Sequence, residues 1–324
     1  MWTDSIFKPK IKEKNFSLNT RILITGGTGF IGSALSKKLK ERGYTNVFPV
    51  GSKTCDLTDS HQTRKLFAEI NPEIVFHLAA CNFGLSGNSS RKSSIFESNI
   101  KINTNVISNL KNTEVKKIIA MGSGCIYPEI PAKTDLTEDL IFRGPPHFDQ
   151  YSYAYSKRLM LLQLEANREE NGTDYVYAIS GNLYGPGDKF NKEIGGVIPS
   201  LIAKFAYAYK NGDKVEVWGT GKAIRDFTFS EDAAEALLIL MNYVSGPINL
   251  GSGSQHSIKE IVEILQKFTK VEVFWNREKP DGELRRCFDI KYLKNLNYCV
   301  KTQLEEGLIC TFLDYYRKQF GEFK

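Results

Sequence analysis

The chain has 324 residues, a formal net charge of +6, 41% hydrophobic and 25% charged residues. That is enough length for one large domain or two moderate ones around a sizeable core. No run approaches eighteen apolar residues, which excludes a membrane-spanning helix, and lysines interleaved with acids along the chain exclude a basic stripe for nucleic acid. The first twenty residues are polar and basic without the apolar run of a signal peptide, and the six cysteines form no C-x-x-C pair. The expectation is a cytoplasmic protein with reduced thiols, an N-terminal extension over residues 1–20 that is either frayed or tucked against the body, and no metal site.

In chain order, residues 21–25 (R-I-L-I-T) read as a strand, and 31–42 as a helix with Leu35 and Leu39 at i, i+4 spacing. Strands at 46–50 and 74–78 flank a helix at 60–70. A further helix, a strand at 117–121, a helix at 153–170 and a strand at 175–180 continue the rhythm. Alternation with near-continuously apolar strands predicts an α/β chain: a Rossmann-type, doubly wound parallel sheet covered by helices on both faces. Beyond about residue 185 the pattern loosens into short mixed elements, with one late return to the sheet at 244–252. The expected organisation is a dinucleotide-binding domain over 21–185 plus a return near 225–255. A smaller mixed α/β substrate lobe is expected over 186–224 and 256–324.

Residues 25–32 read T-G-G-T-G-F-I-G, placing Gly26, Gly29 and Gly32 between the first strand and the first helix. Glycines there allow a tight turn and close approach of backbone to a pyrophosphate, and the helix N-terminus offers free N–H groups to it. Thr28, Phe30 and Ile31 belong to the same turn. NAD enzymes of this pattern place an acid at the end of the second strand, on the ribose 2′-hydroxyl. Here that strand runs into Ser52 and Lys53, which suit a 2′-phosphate and so favour NADP(H) over NAD(H). Asp56 and Leu57 follow and are placed for the adenine, and Leu78, Ala79 and Ala80 end the third strand beside the same turn.

Residues 153–157 read Y-A-Y-S-K, so Tyr153 and Lys157 share a helix face. Tyr151 and Tyr155 have no lysine four residues on. Reducing a ketone by hydride leaves an alkoxide that must be protonated. A phenol brought from its usual pKa near 10 to about 7 requires roughly 4 kcal/mol. One cation near 4 Å supplies about that at an effective dielectric of 20, so Lys157 is expected to lower Tyr153. Ser123 and Cys125, in M-G-S-G-C-I-Y-P, would point the same way from extended backbone, with Ser123 holding the carbonyl oxygen. Asn99, on the helix before that strand, is expected to support Lys157 through water. Cys125 is open between a pocket-lining thiol and a small buried filler.

These residues resemble the extended short-chain dehydrogenase/reductase family and, within it, the GDP-L-fucose synthases. The shared segments include S-K-T-C-D-L-T-D, H-L-A-A, G-S-G-C-I-Y-P, R-G-P-P-H, N-L-Y-G-P-G-D, G-V-I-P-S-L, V-W-G-T-G-K-A-I-R-D-F and K-P-D-G-E-L-R-R. The resemblance spans nearly the whole chain from Arg21. It implies NADPH, a GDP-linked 4-keto sugar and a homodimer through helices flanking the site, with Leu159, Met160, Leu162 and Leu164 able to cover such a face or to be core. It places Asn182, Val197, Leu201, Lys204, Trp218, Arg225 and Arg286 around the nucleotide and its diphosphate. Forked arginine donors suit diphosphate oxygens and an indole suits a guanine or ribose face; Lys204 is equally readable as a solvated helix charge.

In the resembled enzymes a cysteine at the Cys125 position acts as base in epimerisation at C3 and C5, and a histidine just ahead of V-I-P acts as acid. Here Gly196 stands in that place, and the four histidines, His61, His77, His147 and His256, lie elsewhere. Asn82 and Phe83 also depart from the resembled pattern beside the sugar. The expectation is a C4 keto-reductase without efficient epimerase activity, acting on a 6-deoxyhexose or a heptose. Three alternatives stay open: a full epimerase–reductase in which Lys192, Glu193 or water replaces the histidine, an NAD-dependent C4 dehydrogenase, and a non-catalytic cofactor-binding regulator.

Overall fold

The computed structural model describes residues 8–129, 134–191, 195–279 and 281–323, with backbone alone at Leu85 and Ser86. Lys192 and Glu193, invoked above as replacements for a histidine, lie outside the described residues.

The strands in chain order are β1 (Lys10–Ile11), β2 (Ile22–Thr25), β3 (Val47–Val50), β4 (Ile74–His77), β5 (Lys117–Met121), β6 (Asp174–Ser180) and β7 (Asn182–Tyr184). They continue with β8 (Val215–Trp218), β9 (Ile224–Arg225), β10 (Phe227–Phe229), β11 (Val244–Leu250), β12 (His256–Ser257), β13 (Val273–Asn276) and β14 (Arg285–Arg286). The principal helices are α1 (Phe30–Glu41), α2 (Ser60–Ile70), α3 (Gly84–Ser90), α4 (Lys92–Ser108), α5 (Tyr151–Asn171), α6 (Val197–Asn211), α7 (Ser230–Tyr243), α8 (Ile258–Thr269), α9 (Lys291–Lys294) and α10 (Leu304–Phe320).

Seven strands form the main sheet in the order β1-β11-β6-β5-β4-β2-β3. All neighbours are parallel except β1, which runs antiparallel to β11. Strands β2 and β4 are buried along their whole length, which is why they read as unbroken apolar runs rather than alternating ones. Pro49 sits in the edge strand β3, where a missing N–H is tolerated. Helix α1 buries Leu35 and Leu39, the i, i+4 pair that defines its inner stripe.

From Lys8 onward the N-terminal extension is tucked rather than frayed. Besides the β1 pairing, the N–H groups of Lys12 and Lys14 donate to the carbonyls of Tyr243 and Asn242, and the Lys14 ammonium reaches Asp174 at 2.7 Å. This converts what would be an exposed sheet edge into a covered one.

Among the described residues, most of the buried apolar side chains fall into two clusters. One fills both faces of the main sheet. The other lies under α6, α8 and α10, with Phe205, Leu265 and Phe312 at its centre. Phe288, Ile290, Leu293 and Tyr298 belong to the first cluster, although they fall within the stretch assigned above to the smaller lobe. Of the four residues on α5 weighed for a dimer face, Met160 and Leu164 are buried within the chain while Leu159 is exposed. Among the described residues no helix is long and apolar enough to cross a membrane.

Candidate active site

The chain turns from β2 into α1 through Gly26, which has φ +71°, a conformation L side chains rarely adopt. A Cβ on Gly32 would collide with the Gly26 carbonyl, so this glycine sets how closely the helix approaches the strand. Gly29 is the N-cap of α1. It supplies no side-chain hydrogen bond, and the first turn carries no acid. The backbone N–H groups there have no side-chain competitor for an anion. This glycine cradle and uncapped N-terminus fit a dinucleotide pyrophosphate.

The residues expected around the rest of the dinucleotide follow the C-terminal ends of β3 and β4, on either side of β2. Ser52 and Lys53 are exposed in a turn after β3, closed by the Thr54 hydroxyl donating to the Gly51 carbonyl at 2.8 Å. No acid occupies the turn itself. The Asp56 carboxylate accepts from the Thr58 N–H at 2.9 Å and hydroxyl at 2.8 Å, and Leu57 is buried. Leu78 donates its N–H to the Thr25 carbonyl at 3.0 Å, and Ala79 lies directly against Gly26. Below them His77 is buried between the Thr25 hydroxyl at 2.7 Å and the Asn103 side chain at 3.1 Å. Burial, aided by the Lys157 charge, pushes its pKa down to about 3, so it is a neutral structural bridge.

Strand β5 ends at Met121, two residues before Ser123. Ser123 itself is extended, but the backbone after it is not, contrary to the sequence expectation: Gly124–Ile126 form a 3-10 turn with Ser123 as N-cap. The two residues meet through that turn, the Ser123 hydroxyl oxygen accepting the Cys125 N–H at 3.5 Å. Two cations pin the turn from outside. Arg158 Nε donates to the Ile126 carbonyl at 2.8 Å, and Arg286 Nη2 to the Tyr127 carbonyl at 3.0 Å. Burial raises the Cys125 pKa, opposed by Ser123 and by Arg286, Lys157 and Arg158.

Tyr153 is 6% exposed, while its rivals Tyr151 and Tyr155 are each 39% exposed. The α5 repeat puts Lys157 on the same face, with its ammonium 5.9 Å from the Tyr153 ring centroid. The expected lowering of the phenol is not what this geometry produces. Burial raises the Tyr153 pKa well above its ordinary value, and the Cys125 and Cys81 sulfurs add to that. The Lys157 ammonium instead donates to the Met121 carbonyl at 2.8 Å, and burial lowers its pKa to about 8.

The Asn99 side chain is bound directly to backbone. Its amide donates to the carbonyls of Cys81 at 2.9 Å and Ile95 at 2.8 Å, and its oxygen accepts the Cys81 N–H at 3.0 Å. It clamps the backbone at the end of H-L-A-A-C and so places a second thiol near Tyr153. Cys81 and Arg158 were missed by sequence reasoning. Each immediately follows a motif residue, but only the fold turns that adjacency into a shared pocket.

The nucleotide candidates form two local groups. On α6, Val197, Leu201 and Lys204 follow helical spacing; Val197 is 39% exposed and Leu201 is buried. The Lys204 ammonium donates to the Glu216 carbonyl at 3.1 Å and stands 5.5 Å from the Trp218 ring centroid, with Lys279 at 5.4 Å. Burial lowers its pKa, so Lys204 is not a freely solvated charge. Trp218 itself is 55% exposed, an indole available to a planar ligand. In the second group, Arg225 and Arg286 are register partners on β9 and β14. Asn182 donates to the carbonyl of Asp226 at 3.1 Å, beside Arg225. Gly196 is the N-cap of α6, and among the described residues the position its Cβ would take meets nothing closer than Pro199 Cδ at 3.6 Å.

The parallel sheet, the glycine cradle and the buried Tyr153–Lys157 pair define an oxidoreductase-type enzyme of the Rossmann class. Residues 22–251 match the model of the NAD dependent epimerase/dehydratase family, and the chain belongs to that family. It is 34% identical over 301 residues to a probable GDP-L-fucose synthase 1 of Oryza sativa subsp. japonica, covering 91% of this chain and 92% of that protein. Its fold matches a GDP-L-fucose synthetase of Naegleria fowleri bound to NADP with a TM-score of 0.89 at 29% identity, covering 97% and 98% of the two chains. It also matches a GDP-6-OMe-4-keto-L-xylo-heptose reductase of C. jejuni with a TM-score of 0.85 at 27% identity, covering 94% and 100%.

Proposed function

We propose that this enzyme reduces the C4 ketone of a GDP-linked 4-keto sugar, a 6-deoxyhexose or heptose, using NADPH, and leaves C3 and C5 unepimerised. The observation that carries this reading is a complete Ser123, Tyr153 and Lys157 set beside a thiol, Cys125, with only a glycine at position 196. The GDP-linked substrate is supported by the fucose synthase relative and the heptose reductase structure. NADPH is supported by the NADP-bound neighbour and by Ser52 and Lys53 at the end of β3.

The glycine turn at Gly26, Thr28 and Gly29 and the N-terminus of α1 would hold the pyrophosphate, with Ser52 and Lys53 at the 2′-phosphate. When bound, the dinucleotide supplies the hydride. Ser123 donates a hydrogen bond to the C4 oxygen and orients the ketone. Tyr153 gives its proton to the alkoxide as it forms. A phenol held protonated by burial suits donation to the forming alkoxide. Lys157, fixed on the Met121 carbonyl, supplies positive charge to the developing tyrosinate. Cys125, with its pKa raised, is mostly thiol at neutral pH and a poor base for C3 and C5. Trp218 and Lys204 would take the guanosine end, and Arg225 and Arg286 the diphosphate.

The fucose synthase relative favours one second reading, full C3/C5 epimerisation with C4 reduction. Incubation with NADPH and GDP-4-keto-6-deoxymannose in heavy water, read by NMR, separates the two. NADPH consumption with no deuterium at C3 or C5 is the expected result, and deuterium at both carbons would establish the second reading instead.

A further inference from the structure

Arg225 and Arg286 stand side by side in the small sheet β12-β9-β14. Two like charges in register repel unless something compensates them. Arg286 divides its donors. Nη2 holds the Tyr127 carbonyl at 3.0 Å, Nη1 holds Glu283 Oε2 at 2.8 Å, and Nε is buried without a hydrogen-bond partner. Burial lowers the Arg225 pKa, and Glu283 is the charge that opposes this. The carboxylate's ion pair is with Arg286; Arg225, whose Nη1 donates to the Ile224 carbonyl at 2.7 Å, feels the same charge at longer range.

Glu283 belongs to the loop between β13 and β14. That loop is tied down on one side by Asp281, whose carboxylate accepts from the Thr220 N–H at 2.6 Å, the Thr220 hydroxyl at 2.7 Å and the Gly221 N–H at 3.2 Å. On the other side it enters β14. Between Asp281 and Glu283 lies Gly282, at φ +74° and, among the described residues, with no atom within 4 Å of where a Cβ would stand. The Glu283 side chain is thus carried next to a glycine, between the Asp281 anchor on one side and β14 on the other.

We propose that Glu283 is a displaceable stand-in for the substrate diphosphate, occupying the Nη1 edge of Arg286 until the ligand takes it by rotation at Gly282. The inference rests on the reading above that Arg225 and Arg286 receive the diphosphate. A carboxylate leaves one of the two positive charges uncompensated, whereas a diphosphate matches both and can accept forked hydrogen bonds from each arginine. Throughout the exchange Nη2 remains on Tyr127, so the turn carrying Ser123 and Cys125 keeps its anchor. The empty state is kept from self-repulsion, at the cost of some affinity for the ligand.

The test is calorimetric binding of GDP and of guanosine to the full chain and to Glu283→Gln, with Glu278→Gln, an exposed neighbouring acid, as a control for charge alone. Removing the competing carboxylate is expected to tighten GDP about tenfold, equivalent to about 1.4 kcal/mol. Guanosine binding to Glu283→Gln and GDP binding to Glu278→Gln are expected to stay as in the parent. Equal or weaker GDP binding to Glu283→Gln would overturn the proposal and make Glu283 a support for Arg286 instead. Equal tightening by Glu278→Gln would reduce the effect to net charge and overturn it too. Arg286→Met tests the underlying reading separately: loss of GDP binding upholds it, while unchanged binding removes the diphosphate from this site altogether.

Discussion

The ammonium of Lys157 donates a 2.8 Å hydrogen bond to the carbonyl oxygen of Met121, the last residue of β5. One bond thereby ties the helix carrying Tyr153 to the strand that leads into Ser123. The lysine is nearly fully buried, and burial lowers its pKa to about 8. It is a cation below that pH and neutral above it. Reduction is therefore predicted to fall as pH rises through about 8. Lys157→Met should lose about 10²-fold or more in kcat/KM and lose that pH dependence with it. A parent enzyme whose kcat/KM stays flat to pH 10 would contradict the role given to Lys157.

Tyr153→Phe keeps the ring that packs in the pocket and removes only the proton donor. Turnover should drop by about 10²–10⁴-fold, with NADPH binding still measurable by fluorescence. Activity close to the parent's would transfer the proton delivery to another group.

The turn after β3 presents Lys53 to solvent with no acid within the turn itself. Lys53→Glu is predicted to shift the NADPH-to-NADH preference in kcat/KM by about tenfold or more, the scale of one charge-assisted hydrogen bond. An unchanged preference would locate 2′-phosphate recognition elsewhere.

Gly196 has φ −61° as helix N-cap, a backbone any residue adopts, and among the described residues its Cβ would make only ordinary contact, with Pro199 Cδ at 3.6 Å. Gly196→His should therefore be tolerated and should introduce deuterium exchange at C3 or C5 that the parent lacks. Heavy-water NMR on both proteins checks this. Exchange already present in the parent would show that epimerisation needs no side chain there.

Glu138 is 3% exposed and accepts the Asn249 N–H at 2.8 Å; burial raises its pKa from 4.5 to about 7. The folded state binds this proton more tightly than the unfolded state does. The resulting stabilisation is complete below about pH 4.5 and is lost as pH rises through about 7. Glu138→Gln should raise the melting temperature at pH 8, by removing a penalty on the order of 3 kcal/mol, and change it little at pH 4.5. A gain at pH 4.5 as large as at pH 8 would mean the carboxyl does not titrate in that window.

What the sequence determined by itself was local and periodic. Unbroken apolar runs reported strands buried on both faces, glycine spacing reported the turn into α1, and a tyrosine four residues before a lysine reported a shared helix face. These follow from backbone geometry within a few residues and need no knowledge of neighbours. Tertiary structure decided what depends on packing. Asn99 clamps the backbone at Cys81, residues 10–11 become an edge strand on β11, and Arg286 reaches across the chain to Tyr127. Burial likewise reverses the expected Tyr153 shift. The reason is desolvation: how far a charge is disfavoured depends on everything that excludes water around it, and distant segments do most of that excluding.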